Sequence, residues 1–522
     1  MLQIRHLTMT HKKDLHVLLR DFELVLNAGD KAVVVGEEGN GKSTLLRWIY
    51  DPALVVPYVE AEGERVCRGK MAYLPQELPE EELTGSVYEY LSRFYAFWDA
   101  ETGELRRLAR KLGLPADLFY SEQTMSSLSG GERVKVQMAR LRLERADLLL
   151  LDEPSNDVDI ETLEWLERLI RGWEGAVLFV SHDETLIENT ANRVVLLEQL
   201  HHKTIPRWSV SNTSYAVFAA ERRRSYEKQE QLALSERREE REAMERFRRI
   251  QQRVEHEQRT ISRDDPHGGR LLKKKMASVK ALERRYEREH EQRTERPEVE
   301  SAICIRLNEQ KPLPAGRTVL ELTLPELRTE DGGRVLARDV NLSIRGPQKV
   351  CIIGRNGCGK STLLRRIARE LREKENLRVF YMPQNYEELL DGEQTPVDFL
   401  APSGEKEERT RVRTYLGSLR YTVQETERPI RELSGGQKAK VLLLKMALTE
   451  TDVLLLDEPT RNFSPLSGPE IRGILRGFPG AILSVSHDRK FIREVCGAVY
   501  RLTETGLEQL PGEEPFSASR VQ

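Results

Sequence analysis

Cysteine is scarce, with five residues in 522 (Cys67, Cys304, Cys351, Cys358 and Cys496) and no CxxC pair among them. That excludes a disulfide-stapled scaffold, speaks against zinc or iron–sulfur sites, and fits a reducing compartment. A long uncharged apolar run is also missing, and mean hydropathy is −0.55, so no membrane-spanning helix and no membrane partner is expected. Residues Met1 to Lys13 contain no apolar stretch of the secretory-signal kind, and a cytoplasmic location is the expectation. Charge, by contrast, is abundant at 32%, with a net of only −3. The length points to three or four units at about 150 residues each.

What the chain does contain is an internal duplication. Gly36-Glu-Glu-Gly-Asn-Gly-Lys-Ser43 recurs as Gly354-Arg-Asn-Gly-Cys-Gly-Lys-Ser361, and Leu128-Ser-Gly-Gly-Glu132 as Leu433-Ser-Gly-Gly-Gln437. Leu148-Leu-Leu-Leu-Asp-Glu153 recurs as Val453-Leu-Leu-Leu-Asp-Glu458, and Val180-Ser-His-Asp183 as Val485-Ser-His-Asp488. Ser129 and Ser434, Asp152 and Asp457, and His182 and His487 each stand 305 residues apart, so one domain is used twice. The glycine-rich loops stand 318 apart, which makes the first copy 13 residues longer between loop and signature, mostly before Gln76.

Lys31–Val35 and Lys349–Ile353 read as buried strands entering glycine-rich loops, followed by helices over Ser43–Tyr50 and Ser361–Leu371. Leu148–Leu151, Val453–Leu456, Val177–Val180 and Ile482–Val485 are continuous apolar runs, as central parallel strands should be. The expected fold is α/β, with ligands at the carboxyl ends of the strands.

Between the copies the composition shifts. Glu221 to Arg296 holds 23 Lys/Arg against 17 Asp/Glu. Phe247, Ile250, Val254 and Ile261, then Leu272, Met276, Val279, Leu282 and Tyr286, keep helical spacing on either side of the break Asp264-Asp-Pro-His-Gly-Gly269. This predicts a coiled-coil hairpin whose first arm, about Ser214–Ser262, is roughly 70 Å long. Its turn is basic. Arg263, Arg270, Lys273, Lys274, Lys275, Lys280, Arg284 and Arg285 face only three acids, which suits contact with RNA phosphates, although a solvated spacer would look similar. The expected division is a first cassette over 1–212, the linker over 213–300, a second cassette over 301–510 and a tail over 511–522.

The chemistry indicated is nucleotide hydrolysis. In GxxxxGK[ST] the glycines let backbone N–H groups approach phosphate, and a helix N-terminus favours its charge. Gly36, Gly39, Asn40, Gly41, Lys42, Ser43 and Thr44 form one such loop, and Gly354, Asn356, Gly357, Cys358, Gly359, Lys360, Ser361 and Thr362 the other. Lys42 and Lys360 are expected on the β/γ-phosphates, and Ser43 and Ser361 on Mg²⁺. Asp152 and Asp457 can hold the metal. Glu153 and Glu458 suit polarising the attacking water, and His182 and His487 the γ-phosphate. Gln76 and Gln384, in Tyr-Leu-Pro-Gln and Tyr-Met-Pro-Gln, are candidates for metal or water.

Phosphate loop, glutamine, Leu-Ser-Gly-Gly-Glu/Gln, Asp-Glu and histidine, in that order, resemble the ATP-binding-cassette domain over about residues 1–200 and 318–505. The resemblance implies two shared ATP sites. One pairs Gly36–Thr44, Gln76, Asp152, Glu153 and His182 with Ser434, Gly435, Gly436 and Gln437. The other pairs Gly354–Thr362, Gln384, Asp457, Glu458 and His487 with Ser129, Gly130, Gly131 and Glu132. Two cassettes, no membrane segment and a long charged linker look like the ABC-F family. That resemblance implies a fold of two P-loop cassettes joined by a helical hairpin, ATP and Mg²⁺ as cofactors, and a monomer. It also implies the bacterial ribosome as partner, with rRNA and tRNA near the exit site and the peptidyl-transferase centre.

Arg461-Asn-Phe-Ser-Pro-Leu-Ser467 is similar to the antibiotic-resistance branch, implying protection from lincosamides, pleuromutilins and streptogramin A; the first copy reads Asn156-Asp-Val-Asp159 instead. An adenine-stacking aromatic is expected near positions 13 and 331, which here are Lys and Asp, so ATP is not separated from GTP by these residues. The competing readings are a housekeeping factor of the same family, a DNA-associated ATPase using the hairpin as a clamp, and the motor of a transporter whose membrane part is another chain.

Overall fold

The computed structural model describes residues 1–200, 204–260, 312–329, 332–374 and 376–511, together with 274, 277, 278 and 281. The chain divides into two compact units, Met1–Tyr215 with Glu300–Gln522, and Ala216–Val299.

The first unit holds both copies. In the first copy β1 (Leu2–His11), β2 (Val17–Leu26) and β4 (Val59–Cys67) form an antiparallel sheet in the order β2-β1-β4. The central sheet runs β5 (Met71–Leu74), β6 (Leu148–Asp152), β7 (Ala176–Val180), β3 (Lys31–Val35), β8 (Arg193–Leu200) and β9 (Ile205–Ser211), parallel until the antiparallel β8–β9 edge. The second copy repeats this as β13 (Val379–Met382), β14 (Val453–Asp457), β15 (Ala481–Val485), β12 (Lys349–Ile353), β16 (Ala498–Thr503) and β17 (Gly506–Leu510). Among the described residues its outer sheet consists of β10 (Thr318–Arg328) and β11 (Val335–Arg345).

The apolar runs are central strands because both of their faces are covered: every residue of β6, β7, β14 and β15 is buried. Each run extends one residue beyond its expected limits, to Asp152, Ala176, Asp457 and Ala481. Helices follow the glycine-rich loops over Lys42–Tyr50 and Lys360–Arg372. Most of the extra length of the first copy lies in β4, which has no counterpart among the described residues of the second copy. Its sequence, Val-Glu-Ala-Glu-Gly-Glu-Arg-Val-Cys, buries Val59 and leaves Glu60, Glu62 and Glu64 exposed, as an edge strand does.

A second apolar layer lies between the glutamine and signature motifs. In the first copy Tyr90, Leu91, Phe97, Leu105, Leu108 and Phe119 are packed together beneath the helix Gly130–Leu143. That layer carries the signature towards the opposite cassette.

In the second unit a single helix spans Tyr215–Thr260, 46 residues, or about 70 Å at 1.5 Å per residue. It is laced by i,i+4 pairs such as Arg223–Glu227 at 2.9 Å and Arg238–Glu242 at 3.4 Å. Phe247 is buried, while Ile250 is exposed. The expected return arm and basic turn, with Arg263, Arg270, Lys273, Lys275 and Lys280, lie outside the described residues; Lys274 is helical and exposed.

Candidate nucleotide sites

Strand β3 delivers Gly36 to a point where a Cβ would stand 2.3 Å from the Leu197 carbonyl oxygen, so only glycine fits. Asn40 donates to that same oxygen at 3.0 Å, fixing the loop against β8. The Lys42 ammonium turns back onto the Gly36 and Glu37 carbonyls, both at 2.9 Å. Ser43 donates to Asp152 at 2.7 Å, and Tyr73 donates to the other carboxylate oxygen at 3.1 Å. Burial pushes Asp152 above the usual carboxylate range, and the Ser43 hydrogen bond restrains that rise.

The second loop repeats the plan. A Cβ on Gly354 would stand 2.8 Å from the Leu502 carbonyl oxygen, and Lys360 donates to the carbonyls of Gly354 at 2.9 Å and Arg355 at 3.0 Å. Asp457 differs from Asp152. Burial raises it too and the Ser361 hydroxyl opposes the rise, but Tyr381, the counterpart of Tyr73, does not donate to it. A buried carboxylate beside the Ser361 hydroxyl is the donor set of a hard divalent cation that also binds phosphate oxygens, so these residues fit Mg²⁺.

Each signature serine caps its helix. Ser129 accepts from the Glu132 amide at 3.3 Å while Glu132 reaches back to the Ser129 amide at 3.0 Å; Ser434 and Gln437 repeat the exchange at 3.3 and 2.9 Å. A Cβ on Gly130 would stand 2.1 Å from the Asp157 carbonyl oxygen, and one on Gly131 2.7 Å from the Thr162 hydroxyl. The glycines are therefore required by the chain that crosses them.

Glu153 and Glu458 occupy the left-handed region at φ 50° and 51°, a strained conformation for a side chain of this size. Each carboxylate accepts from the amide of its histidine, His182 at 3.1 Å and His487 at 3.2 Å. Beyond that the sites diverge. Burial opposes charge on Glu153, but the adjoining His182 ring at 3.1 Å outweighs it and holds the carboxyl below its usual range. Burial likewise opposes charge on His182, and Glu153 raises it. Glu458 is pushed up to about 8 by burial and then by Asp457, while burial and the Lys360 charge take His487 down to about 3.

The two cassettes face each other with loop against signature. At the second site they enclose a cavity of about 780 Å³, lined by Ser129, Gly130, Glu132, Lys360, Ser361, Gln384, Asp457, Glu458 and His487 among others. A smaller space of about 30 Å³ lies between Glu37 and Glu38 and the opposite cassette's Ser434, Gly436 and Gln437. Gln384 lines the larger cavity; Gln76 is exposed and lines neither.

Residues outside the motifs complete the second site. Thr329, Arg334 and Leu336 line its outer end, in place of the aromatic sought near position 331, which lies outside the described residues. Arg461 pairs with Asp157 at 2.9 Å, and Asn356 donates to the Asp157 carbonyl. The Phe463 carbonyl lies 2.8 Å from His182 Nδ1 across the interface. The departure Arg461-Asn-Phe-Ser was a usable signal for these contacts. Nothing in the sequence paired Glu38 with Gly436, whose amide it accepts from at 2.5 Å.

Comparison with known proteins gives the same outline. The family model described as "ABC transporter" matches residues 19–156 and 337–461. The chain is 29% identical over 499 residues to ribosome protection protein VmlR of Bacillus subtilis, covering 93% of this chain and 84% of that one. It is 26% identical over 542 residues to the probable ATP-binding protein YheS of Escherichia coli, covering 96% and 79%. It is 28% identical over 527 residues to the ATP-binding protein Uup of Escherichia coli, covering 91% and 76%. Among solved structures, the archaeal ribosome recycling factor aABCE1, in complex with stalk protein aP1, shares the fold with a TM-score of 0.59 at 18% identity, over 97% of this chain and 90% of that one. The matched cassettes, filling half of the chain and folded around two complete phosphate loops, make it an ATP-hydrolysing member of the ABC transporter family, in its tandem-cassette ABC-F group.

Proposed function

We propose that this ATPase works on the bacterial ribosome, in the cytoplasm, and that closure of its cassettes on ATP drives the linker hairpin towards the peptidyl-transferase centre. The observation that carries the reading is the VmlR likeness, which runs through both cassettes and the linker at 93% coverage. The finer reading is protection from lincosamide, pleuromutilin and streptogramin A drugs. The Arg461–Ser467 run and the name of that relative support it.

In this reading Lys360 and Lys42 leave their loop carbonyls for the β/γ-phosphates, and the Gly130/Gly131 and Gly435/Gly436 amides face the terminal phosphate of the opposite loop. Glu458 accepts a proton from the attacking water and His487 orients the γ-phosphate; Glu153 and His182 have the same roles at the first site. Ser361, Asp457 and Gln384, with Ser43, Asp152 and Gln76 opposite, are the residues to hold Mg²⁺, which when bound neutralises phosphate charge. One chain supplies both halves of both sites, so a monomer suffices. The basic residues Arg263 to Lys280 are the candidates for RNA contact.

Co-sedimentation with 70S ribosomes tests this directly. Glu153→Gln/Glu458→Gln with ATP should stay on the ribosome while wild type escapes. If neither form sediments although both bind ATP, the ribosomal reading fails and duplex DNA is the next partner to test. Drug susceptibility of a sensitive host expressing the wild type then separates resistance from a housekeeping role.

A further inference from the structure

The two phosphate loops differ at three positions that their shared motif leaves variable, and one of them meets the facing signature helix. The second residue after the first loop glycine is Glu38 in the first site and Asn356 in the second. Asn356 crosses to the opposite cassette and donates to the Asp157 carbonyl. Glu38 crosses as well, but its carboxylate accepts from the Gly436 amide of the facing signature helix at 2.5 Å. Gly436 is in the first turn of a 14-residue helix, Gly435–Leu448, whose N-terminal amides favour an anion. A Cβ on Gly436 would lie 2.8 Å from the Asn462 carbonyl oxygen and 3.0 Å from the Glu38 carboxylate, so the fit depends on glycine. Beside it Glu37 pairs with Arg420 at 3.2 Å, a second link from this loop to the opposite cassette.

A phosphate chain held by Lys42 and Ser43 ends between this loop and the facing helix. The Gly436 amide is a donor on that facing helix, and the Glu38 carboxylate already takes it. The space around the pair is about 30 Å³, whereas Asn356 borders a cavity of about 780 Å³ between its loop and the facing signature.

We propose that Glu38 is a positioning residue that stands in for the terminal phosphate at the first site. Its carboxylate holds that site shut without nucleotide, and an entering nucleoside triphosphate must displace it. The second site consequently fills first, and the first site binds nucleotide more weakly than its motif implies. This rests on the ATPase part of the reading above and needs no ribosome.

The test is titration of the full-length chain with a fluorescent ATP analogue and Mg²⁺. Lys360→Ala silences the second site and leaves the first as the reporter. In that background Glu38→Ala should tighten binding by about tenfold or more, as expected when one competing charge-assisted hydrogen bond is lost. Glu38→Gln, which keeps the size without the charge, should fall between the two. Unchanged or weaker binding in Glu38→Ala overturns the proposal. So does a gain of equal size in a Lys42→Ala background, which would place the effect on closure in general. If neither lysine background binds nucleotide at all, the ATPase assignment of the sites fails, and the proposal with it.

Discussion

Arg489→Met is the most demanding perturbation of the cassette interface. The Arg489 guanidinium, 6% exposed, meets Glu167, 5% exposed, at 2.5 Å and Asp183 at 3.4 Å across the interface. Arg472 and Lys490 extend the cluster to Glu184, each at 2.8 Å. Removing one partner of a buried ion pair leaves the other charge desolvated and costs about 3–5 kcal/mol. For a unit of cassette size each kcal/mol is worth about 2–4 °C, so the midpoint should fall on the order of 10 °C. Burial already pushes Asp183 up to about 6, and Arg489 holds it back from rising further. Near pH 5 Asp183 therefore carries a proton and less charge is left stranded, so the defect should shrink on acidification. Thermal unfolding of wild type and variant at pH 7.5 and pH 5 checks both statements. A double-mutant cycle with Glu167→Gln should return a coupling of about 1–3 kcal/mol. A fall of 2–4 °C or less at pH 7.5, unchanged at pH 5, would refute the account, because it would mean that water reaches these charges.

Three further outcomes follow from particular contacts. Glu458 ionises near 4.5 when unfolded and near 8 when folded, so the folded form binds the extra proton between those values and loses stability as pH rises through them. Glu458→Gln should consequently raise the thermal midpoint more at pH 8 than at pH 5, and an equal effect at both would contradict the assignment. Gly130→Ala puts a methyl group 2.1 Å from the Asp157 carbonyl oxygen and should abolish ATP turnover at the second site with the fold intact by circular dichroism; near-normal turnover would mean that the crossing chain yields. Leu150→Ala, in the fully buried β6, should cost about 2–5 kcal/mol, read by denaturant unfolding.

The central sheets were legible because fully buried parallel strands leave unbroken apolar runs, and the phosphate loops because backbone geometry demands glycine at set places. Strand β4 was not, since Glu60, Glu62 and Glu64 on an exposed edge hide its pairing with β1. The helical layer between residues 80 and 127 escaped for another reason: its short pieces bury Tyr90, Phe97 and Phe119 against one another without a sustained period. Gln76 and Gln384 share a motif, yet only Gln384 lines a cavity. The pairing of Glu38 with Gly436 spans 398 residues, and no local pattern encodes a contact made only when two domains meet.

Identical catalytic letters do not make identical chemistry, and the two histidines put that to a measurement. Burial opposes the charge on both rings. At His182 the Glu153 carboxylate at 3.1 Å prevails, and Nδ1 has the Phe463 carbonyl at 2.8 Å. At His487 the carboxylate stands back at 3.6 Å, the Lys360 charge works with burial, and Nδ1 is buried without a partner. The counterpart of Phe463 in the first cassette is Val158, so the asymmetry follows from the unlike segments after the two Glu-Pro pairs. Proton–carbon correlation of the ten histidine rings, with His182→Gln and His487→Gln to assign the peaks, reads it in the nucleotide-free chain. His182 should titrate above 6.5, and its pairing with Glu153 should stabilise the fold fully below that pH and lose its effect as pH rises through the raised value. His487 should stay neutral from pH 8 down to 5. A common midpoint would mean that the environments are equal, and the division of labour between the two sites would then have to come from Glu38 alone.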